Sequence, residues 1–208
     1  MGKKQSGFTL IEILVVILIL GILGFIFSDI LTQVLRGQNK VGTVAKIKET
    51  GQLVLDTLSG EIRNGEEVIC VDKSGSSIYK DTLVVFKRGI YSQFRLSTPA
   101  DENGRITRDD FSADDVPDGV ISDSQLCTST VPFGSVGTLT NTDPMSGVSL
   151  VPDGISDVFS QNTKPGFSDT ITVKFRILPG VQGGNTPEAD MGADGVLFTT
   201  TAQVKGGK

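Results

Sequence analysis

The sequence predicts an α+β fold in which one long N-terminal α-helix packs against an antiparallel β-sheet, forming a head. Residues 8–27 form an almost uninterrupted apolar run, residues 28–63 repeat apolar side chains at helical spacing, and later segments alternate apolar and polar side chains as strands do. A chain of 208 residues holds one ordinary domain plus an extended element. We therefore expect one core, formed between the second part of the helix and the sheet.

The first apolar run has the length of a membrane-spanning helix. From Phe8 to Phe27, Thr9 and Glu12 are the only polar side chains. A run of this length reaches across a hydrocarbon core of about 30 Å, because an α-helix rises about 1.5 Å per residue. An unpaired acidic side chain inside such a helix costs about 2.5–3.5 kcal/mol on insertion scales, so Glu12 needs a reason to be there.

The flanking residues predict the topology. Lys3 and Lys4 precede the run, so the positive-inside rule keeps residues 1–7 in the cytoplasm and sends the head at residues 64–208 outward. Ser28 leads directly into further helical sequence rather than into a small-residue cleavage site, so the run should be retained. We expect a single-pass protein of the cytoplasmic (inner) membrane with an extracytoplasmic head.

Residues 28–63 continue the helix as an amphipathic segment. Glycines interrupt the segment, so we expect packing against the head, rather than helix propensity, to stabilise it. The apolar side chains fall near one stripe and are Ile30, Val34, Val41, Val44, Leu55, Leu58 and Ile62.

Five segments of the head have strand composition, at residues 68–71, 82–86, 90–96, 168–178 and 195–204. The last two alternate in the manner of strands with one buried and one wet face. In the longer one, Ile171, Val173, Phe175 and Ile177 point one way, and Thr170, Thr172, Lys174 and Arg176 the other. In the last, Phe198, Thr200, Ala202 and Val204 repeat the apolar face.

Residues 99–166 are acidic and are expected to be rich in loops. The tetrapeptide VPDG occurs in them twice, at residues 116–119 and 151–154. It predicts tight turns, because proline fixes φ and glycine accepts positive φ. Clustered carboxylates are also what calcium requires, and the calcium candidates are Asp114, Asp118 and Asp123. Solvated acidic loops without a metal are the alternative interpretation.

The composition argues against catalysis and against nucleic-acid binding. The chain has no histidine, which is the commonest general base and metal ligand, and no recognisable nucleophile motif. Its formal net charge is −5, and no basic cluster follows Lys48. We predict that the protein is not an enzyme, has no nucleic-acid partner and uses no cofactor other than the calcium considered above.

The two cysteines, Cys70 and Cys127, fit either a pair of buried thiols or one disulfide. An extracytoplasmic head allows oxidation. Sequence alone does not bring two Cα atoms within bridging distance, so both interpretations stay open at this point.

Residues 7–12 read GFTLIE and are followed by an apolar helix that contains Gly21. This segment resembles the class III leader and N-terminal helix of type IV pilins and type II secretion pseudopilins. The resemblance covers about thirty residues and implies a pilin-like fold. It also implies that prepilin peptidase cuts between Gly7 and Phe8 and that the new Phe8 amine is N-methylated. Glu12 would then pair with the Phe8 amine of a neighbouring subunit during assembly, which makes a buried carboxylate tolerable.

The resemblance also implies partners and a place of action. The partners are prepilin peptidase, other pilins or pseudopilins, an inner-membrane assembly platform, and membrane lipid before assembly. The chain departs from the major-pilin pattern at Asp29, where many major pilins carry a helix-kinking proline. We therefore favour a minor subunit of a pilus or pseudopilus at the cell surface. The alternative function is a membrane-anchored extracellular binding or adhesion module with calcium-stabilised acidic loops.

Overall fold

The computed structural model describes residues 9–71, 81–112, 126–127, 137–141, 143, 147–154, 157–164, 166–180 and 195–205. The chain divides into two compact units, Met1–Gly42 and Thr43–Lys208. One long helix, α1, covers Leu10–Asn64, and its glycines do not interrupt it. The predicted α+β class is confirmed, because α1 is followed by antiparallel strands throughout the described part of the head.

The strands form two antiparallel sheets rather than the single sheet that we expected. The first sheet has the order β1-β2-β3-β4-β5, and in the second β8 pairs with β6, β7 and β9. Residues 170–173 pair with both β7 and β9, so these two strands lie on opposite edges of β8. The strands are β1 Glu67–Ile69, β2 Thr82–Lys87, β3 Ile90–Ser97, β4 Arg105–Ser112, β5 Gly137–Thr138, β6 Val148–Val151, β7 Phe159–Asn162, β8 Thr170–Pro179 and β9 Val196–Gln203.

The five predicted strands correspond to β1, β2, β3, β8 and β9, and residues 99–166, which we expected to be rich in loops, add four short strands in the part that the structure describes. That region contributes β4, β5, β6 and β7. The sequence of β4, RITRDDFS, carries four charged residues and shows no simple alternation. Pairing with β3 along its whole length makes it a strand, with Ile106 and Phe111 buried, which is a case of tertiary context overriding local composition.

The core of the second unit lies between α1 and the inner faces of both sheets. Ile47, Val54, Leu58 and Ile62 of α1 are at most 1% exposed, and Leu55 is also buried. They pack with side chains such as Phe94 of the first sheet and Phe175 of the second. The predicted stripe is therefore confirmed for Leu55, Leu58 and Ile62. It was wrong for Ile30, Val34 and Val41, which are 48–69% exposed in the single chain.

The alternation predicted for β8 is confirmed. Ile171, Val173, Phe175 and Ile177 are fully buried, whereas the intervening side chains are partly exposed. In β9 the apolar face is confirmed as well, since Ala202 is buried and Phe198 packs against the core. The ring of Phe198 also lies directly against Gly51 of α1, where a methyl group would come within 2.2 Å of it.

Cys70 and Cys127 form a disulfide, with their Cα atoms 5.3 Å apart. The bridge holds a short segment against the face of the first sheet that points away from α1. The Nε2 of Gln93 donates a hydrogen bond to the Leu126 carbonyl at 2.6 Å, and Arg95 donates one to the Cys127 carbonyl at 3.3 Å. The bridge joins residues 57 positions apart. In the chain-entropy model, closing a loop of this length adds about 4 kcal/mol to the free energy of unfolding.

A charged cluster also joins α1 to the first sheet. The carboxylate of Glu61 accepts a hydrogen bond from Arg108 at 2.9 Å and lies 3.9 Å from the Lys87 ammonium. Partial burial by itself lowers the pKa of Arg108. The hydrogen bond and the negative charge of Asp110, together with the negative charge of Glu61, have a larger opposite effect, so the pKa of Arg108 is raised overall. Arg108 therefore stays charged and links helix to sheet at any physiological pH.

The second VPDG segment forms the tight turn that the sequence predicts. Gly154 has a φ of 66°, and its N–H donates to the Pro152 carbonyl at 3.0 Å. The first VPDG segment lies outside the described residues. The turn brings Asp153 to β8, where its carboxylate accepts hydrogen bonds from Lys174 and Arg176. These two bonds, that of Lys174 first, hold the pKa of Asp153 below its usual value of 3.8.

We expect Asp153→Asn to lower the melting temperature of the head by a few degrees at neutral pH and by much less in strong acid. A carboxylate whose pKa is lowered on folding stabilises the folded state above its unfolded pKa. That contribution declines as the pH falls through 3.8 and is lost below the lowered folded pKa. Thermal unfolding between about pH 2 and pH 7 measures this, with Asp101→Asn, at an exposed carboxylate, as the control. If the difference in melting temperature between Asp153→Asn and wild type stays the same from about pH 2 to pH 7, the ion pair does not contribute to stability as described.

Candidate functional site on the N-terminal helix

The first part of α1 exposes a continuous apolar surface. Its large hydrophobic side chains from Leu10 to Leu35 are between 44% and 82% exposed. Among the described residues, α1 is the one helix long and apolar enough to cross a membrane. Each such side chain gains about 1.5–3 kcal/mol when it leaves water, so a surface of this size requires lipid or other protein around it.

The first turn of α1 contains the acidic residue that the sequence singled out. Glu12 lies exposed in this turn, and it is the only ionisable side chain between Thr9 and Phe27. Thr9 immediately precedes the helix, and its carbonyl accepts hydrogen bonds from the N–H groups of Glu12 at 3.1 Å and Ile13 at 3.3 Å. Thr9 is therefore the N-cap residue, and a carboxylate in the first turn also meets the positive end of the helix dipole.

The N-cap role of Thr9 was missed at the level of sequence, although a signal for it was present. Thr9 and Glu12 have the spacing of a capping box, S/T-x-x-E, in which both side chains satisfy backbone N–H groups at a helix start. Glu12 consequently has two physical interpretations. It stabilises the first turn of its own helix, or it supplies a charge to a neighbouring chain.

Polar residues begin directly after the apolar run. The Thr32 hydroxyl donates to the Ser28 carbonyl at 2.9 Å, and the Gln33 amide donates to the Asp29 carboxylate at 3.1 Å. Asp29, at the position where many major pilins carry a proline, lies within regular α-helix. The uninterrupted apolar run therefore ends at Phe27, beyond which polar and apolar side chains mix, without a break in the helix.

The structure places only some of the predicted site residues. Glu12 lies in the first turn of α1, and Cys70 and Cys127 are bridged. Gly7 and Phe8 lie outside the described residues. So do the calcium candidates Asp114, Asp118 and Asp123, and the described part of the chain contains no cluster of three metal-ligating side chains.

Comparison with known proteins gives one match, at the N-terminal end. Residues 2–28 match the family described as the prokaryotic N-terminal methylation motif. The chain carries the type IV pilin and pseudopilin signature. No curated protein and no solved structure matches the chain.

This signature supports the interpretation of the chain as a substrate of prepilin peptidase, of the pilin or pseudopilin type. It implies processing by that peptidase and assembly into filaments, and it belongs to structural rather than enzymatic proteins. Together with the apolar helix, it indicates membrane anchoring.

Proposed function

We propose that this protein is a minor structural subunit of a type IV pilus or a type II secretion pseudopilus. The observation that carries the proposal is the position of Glu12. It is the only carboxylate in the exposed apolar run at residues 9–27, and it lies at the end where the methylation motif matches. A charge that becomes buried among apolar helices is stabilised by an opposite charge beside it, and the α-amine of a neighbouring Phe8 would supply one.

In this proposal prepilin peptidase cuts after Gly7 and the Phe8 amine is then N-methylated. Before assembly the chain spans the inner membrane, with Lys3 and Lys4 in the cytoplasm and the head outside. The disulfide supports an extracytoplasmic head, because disulfides persist in oxidising compartments. During assembly the apolar surface passes from lipid to the helices of other subunits, and the protein itself performs no catalysis.

Two features favour a minor over a major subunit. Asp29 continues the helix where many major pilins have proline. The head is also long, with two sheets and the acidic region at residues 99–166. Which filament the subunit joins follows from its partners, which copurification with sheared filaments would identify.

The mass of the N-terminal peptide of protein extracted from native membranes tests the proposal. We expect a peptide that begins at N-methylated Phe8. A peptide that begins at Met1 or Gly2 would mean an uncut membrane anchor and would overturn the filament role. The extracellular binding or adhesion module would then be the better interpretation.

Replacement of Glu12 separates pairing between chains from capping within one chain. We expect Glu12→Ala and Glu12→Gln both to lower incorporation into filaments by about tenfold or more, because removing one partner of a buried ion pair costs about 3–5 kcal/mol. Glutamine still serves in a capping box but carries no charge. Immunoblots of sheared filaments and of membranes measure both pools, and insertion into the membrane should be unchanged or improved. Wild-type incorporation of Glu12→Gln would mean that Glu12 acts as a cap.

A further inference from the structure

The end of the second sheet presents an aromatic ring to solvent. Phe167 follows β7 in the turn that leads to β8 and is 76% exposed, the highest value for a large hydrophobic side chain among the described residues of the second unit. Its N–H donates to the Lys164 carbonyl at 3.0 Å, which closes the turn. A single exposed hydrophobic residue needs no explanation, so the inference depends on what surrounds this one.

Phe167 lines the first of two open depressions of about 410 and 560 Å³, which share Ser168 and Gln203 in their linings. We call this surface the Phe167 groove. The first depression is lined by Asn162, Lys164, Phe167, Ser168, Thr170 and Gln203. The second adds Arg63, Thr201, Val204 and Lys205.

Neutral polar side chains dominate the floor of the groove. Asn162, Thr170 and Gln203 lie side by side on three neighbouring strands, because Thr170 pairs with Asn162 on β7 and with Gln203 on β9. In the next row Thr172 and Thr201 exchange a hydrogen bond between their hydroxyls at 3.1 Å. Amide and hydroxyl groups both donate and accept hydrogen bonds, as the hydroxyls of a sugar do.

The charged side chains that line the groove are all cations. Its lining residues include Arg63, Lys164 and Lys205 and no carboxylate. The nearby carboxylate of Asp169 accepts a hydrogen bond from the Gln161 amide at 2.7 Å. In a chain with a net charge of −5, this local positive charge favours a ligand that carries a negative group.

We propose that the Phe167 groove binds an oligosaccharide that carries a carboxylate, such as a uronic acid. The C–H face of a sugar ring packs on Phe167, the amides of Asn162 and Gln203 exchange hydrogen bonds with its hydroxyls, and the carboxylate lies by Lys164 or Arg63. One aromatic ring among polar side chains suits a sugar better than an apolar peptide, which needs several apolar pockets. A nucleic acid is disfavoured because three cations neutralise few phosphates and the whole chain is acidic.

The binding test uses the full-length protein in detergent micelles and isothermal titration calorimetry. The probes are the trisaccharides of galacturonate, glucuronate and mannuronate, with neutral galactotriose for comparison. We expect at least one uronate trisaccharide to bind with a Kd of about 1 mM or below, and galactotriose to bind more weakly. If none of the three binds with a Kd below about 10 mM, the proposal is overturned.

Two variants with matched controls locate the site. Phe167→Ala should weaken binding about tenfold, whereas Ile90→Ala, at an exposed apolar residue of the β2–β3 hairpin, should change it less than about twofold. Lys164→Gln should weaken uronate binding about fivefold and galactotriose binding less than about twofold, while Lys48→Gln on α1 should affect neither. The melting temperature of each variant verifies that the head is folded.

Several results would overturn the proposal. They are an unchanged Kd in folded Phe167→Ala, an equal loss of both kinds of sugar in Lys164→Gln, and tighter binding of a short single-stranded oligonucleotide than of any trisaccharide. Sugar binding does not depend on cleavage after Gly7 or on filament assembly. If the protein is correctly processed and assembled into filaments but does not bind the trisaccharides, this inference is refuted and the proposed function stands.

Discussion

Gly7→Ile should leave the whole protein at precursor length, with residues 1–7 still attached. Glycine before the cut presents no side chain, and a peptidase cleft that fits glycine at this position has no room for a branched four-carbon group. The uncut chain should also be absent from filaments. Its leader keeps Lys3 and Lys4 attached to the apolar helix, and moving two such charges into an apolar filament core is costly.

Intact-mass measurement of membrane-extracted protein reads out this prediction directly. Gly2→Ile is the matched control, because it makes the same chemical change in the same segment but away from the proposed cleavage site. We expect normal processing of the control. A protein of mature mass from Gly7→Ile would show that the cut lies elsewhere and would undermine the assigned roles of Phe8 and Glu12 as well.

Gly104→Ala should destabilise the head by about 3 kcal/mol or more, the largest effect on stability that we expect from a single methyl group here. Gly104 lies buried immediately before β4, where its N–H donates to the Ser149 hydroxyl and its carbonyl accepts from the Leu150 N–H, each at 2.9 Å. A Cβ at this position would lie 1.8 Å from the Leu150 carbonyl oxygen. Because that atom belongs to the backbone of β6, relief requires the two sheets to move apart.

Thermal unfolding of the full-length protein in detergent measures the loss, which corresponds to a fall of roughly 6–12 °C for a chain of this size. Gly60→Ala provides the opposite control. Nothing lies within 4 Å of a Cβ at Gly60, so alanine there should raise stability by up to about 1 kcal/mol through helix propensity alone. If Gly104→Ala melts at the wild-type temperature, the close approach of β4 to β6 is not as described.

The sequence was most informative where one physical requirement dominates a segment. A helix surrounded by lipid or by other apolar helices must itself be apolar, so residues 8–27 are identifiable without any knowledge of the fold. A strand with one buried face must alternate, so the alternation of β8 was predicted residue by residue, and the four side chains predicted to face inward are fully buried. The tight turn at residues 151–154 followed from the chemistry of proline and glycine alone.

Other features depend on partners that are distant in the chain. The polar sequence of β4 becomes a strand because β3 pairs with it, and no local signal predicts that pairing. Asp153 lies in a turn that was predicted, but its partners Lys174 and Arg176 come from another strand. The amphipathic stripe of α1 looked uniform, yet burial begins only near Ile47, where the sheets provide a surface to pack against.

The sequence by itself determined the anchor, its motif, the fold class and the alternating strands, because each of these depends on the solvent that a segment meets and on local backbone geometry. Only the tertiary structure decided that there are two sheets, that Cys70 meets Cys127, and that Phe167 stands at a groove lined by amides and cations. These features are juxtapositions of residues far apart in the chain. They are set by the packing of one core, which no short stretch of sequence contains.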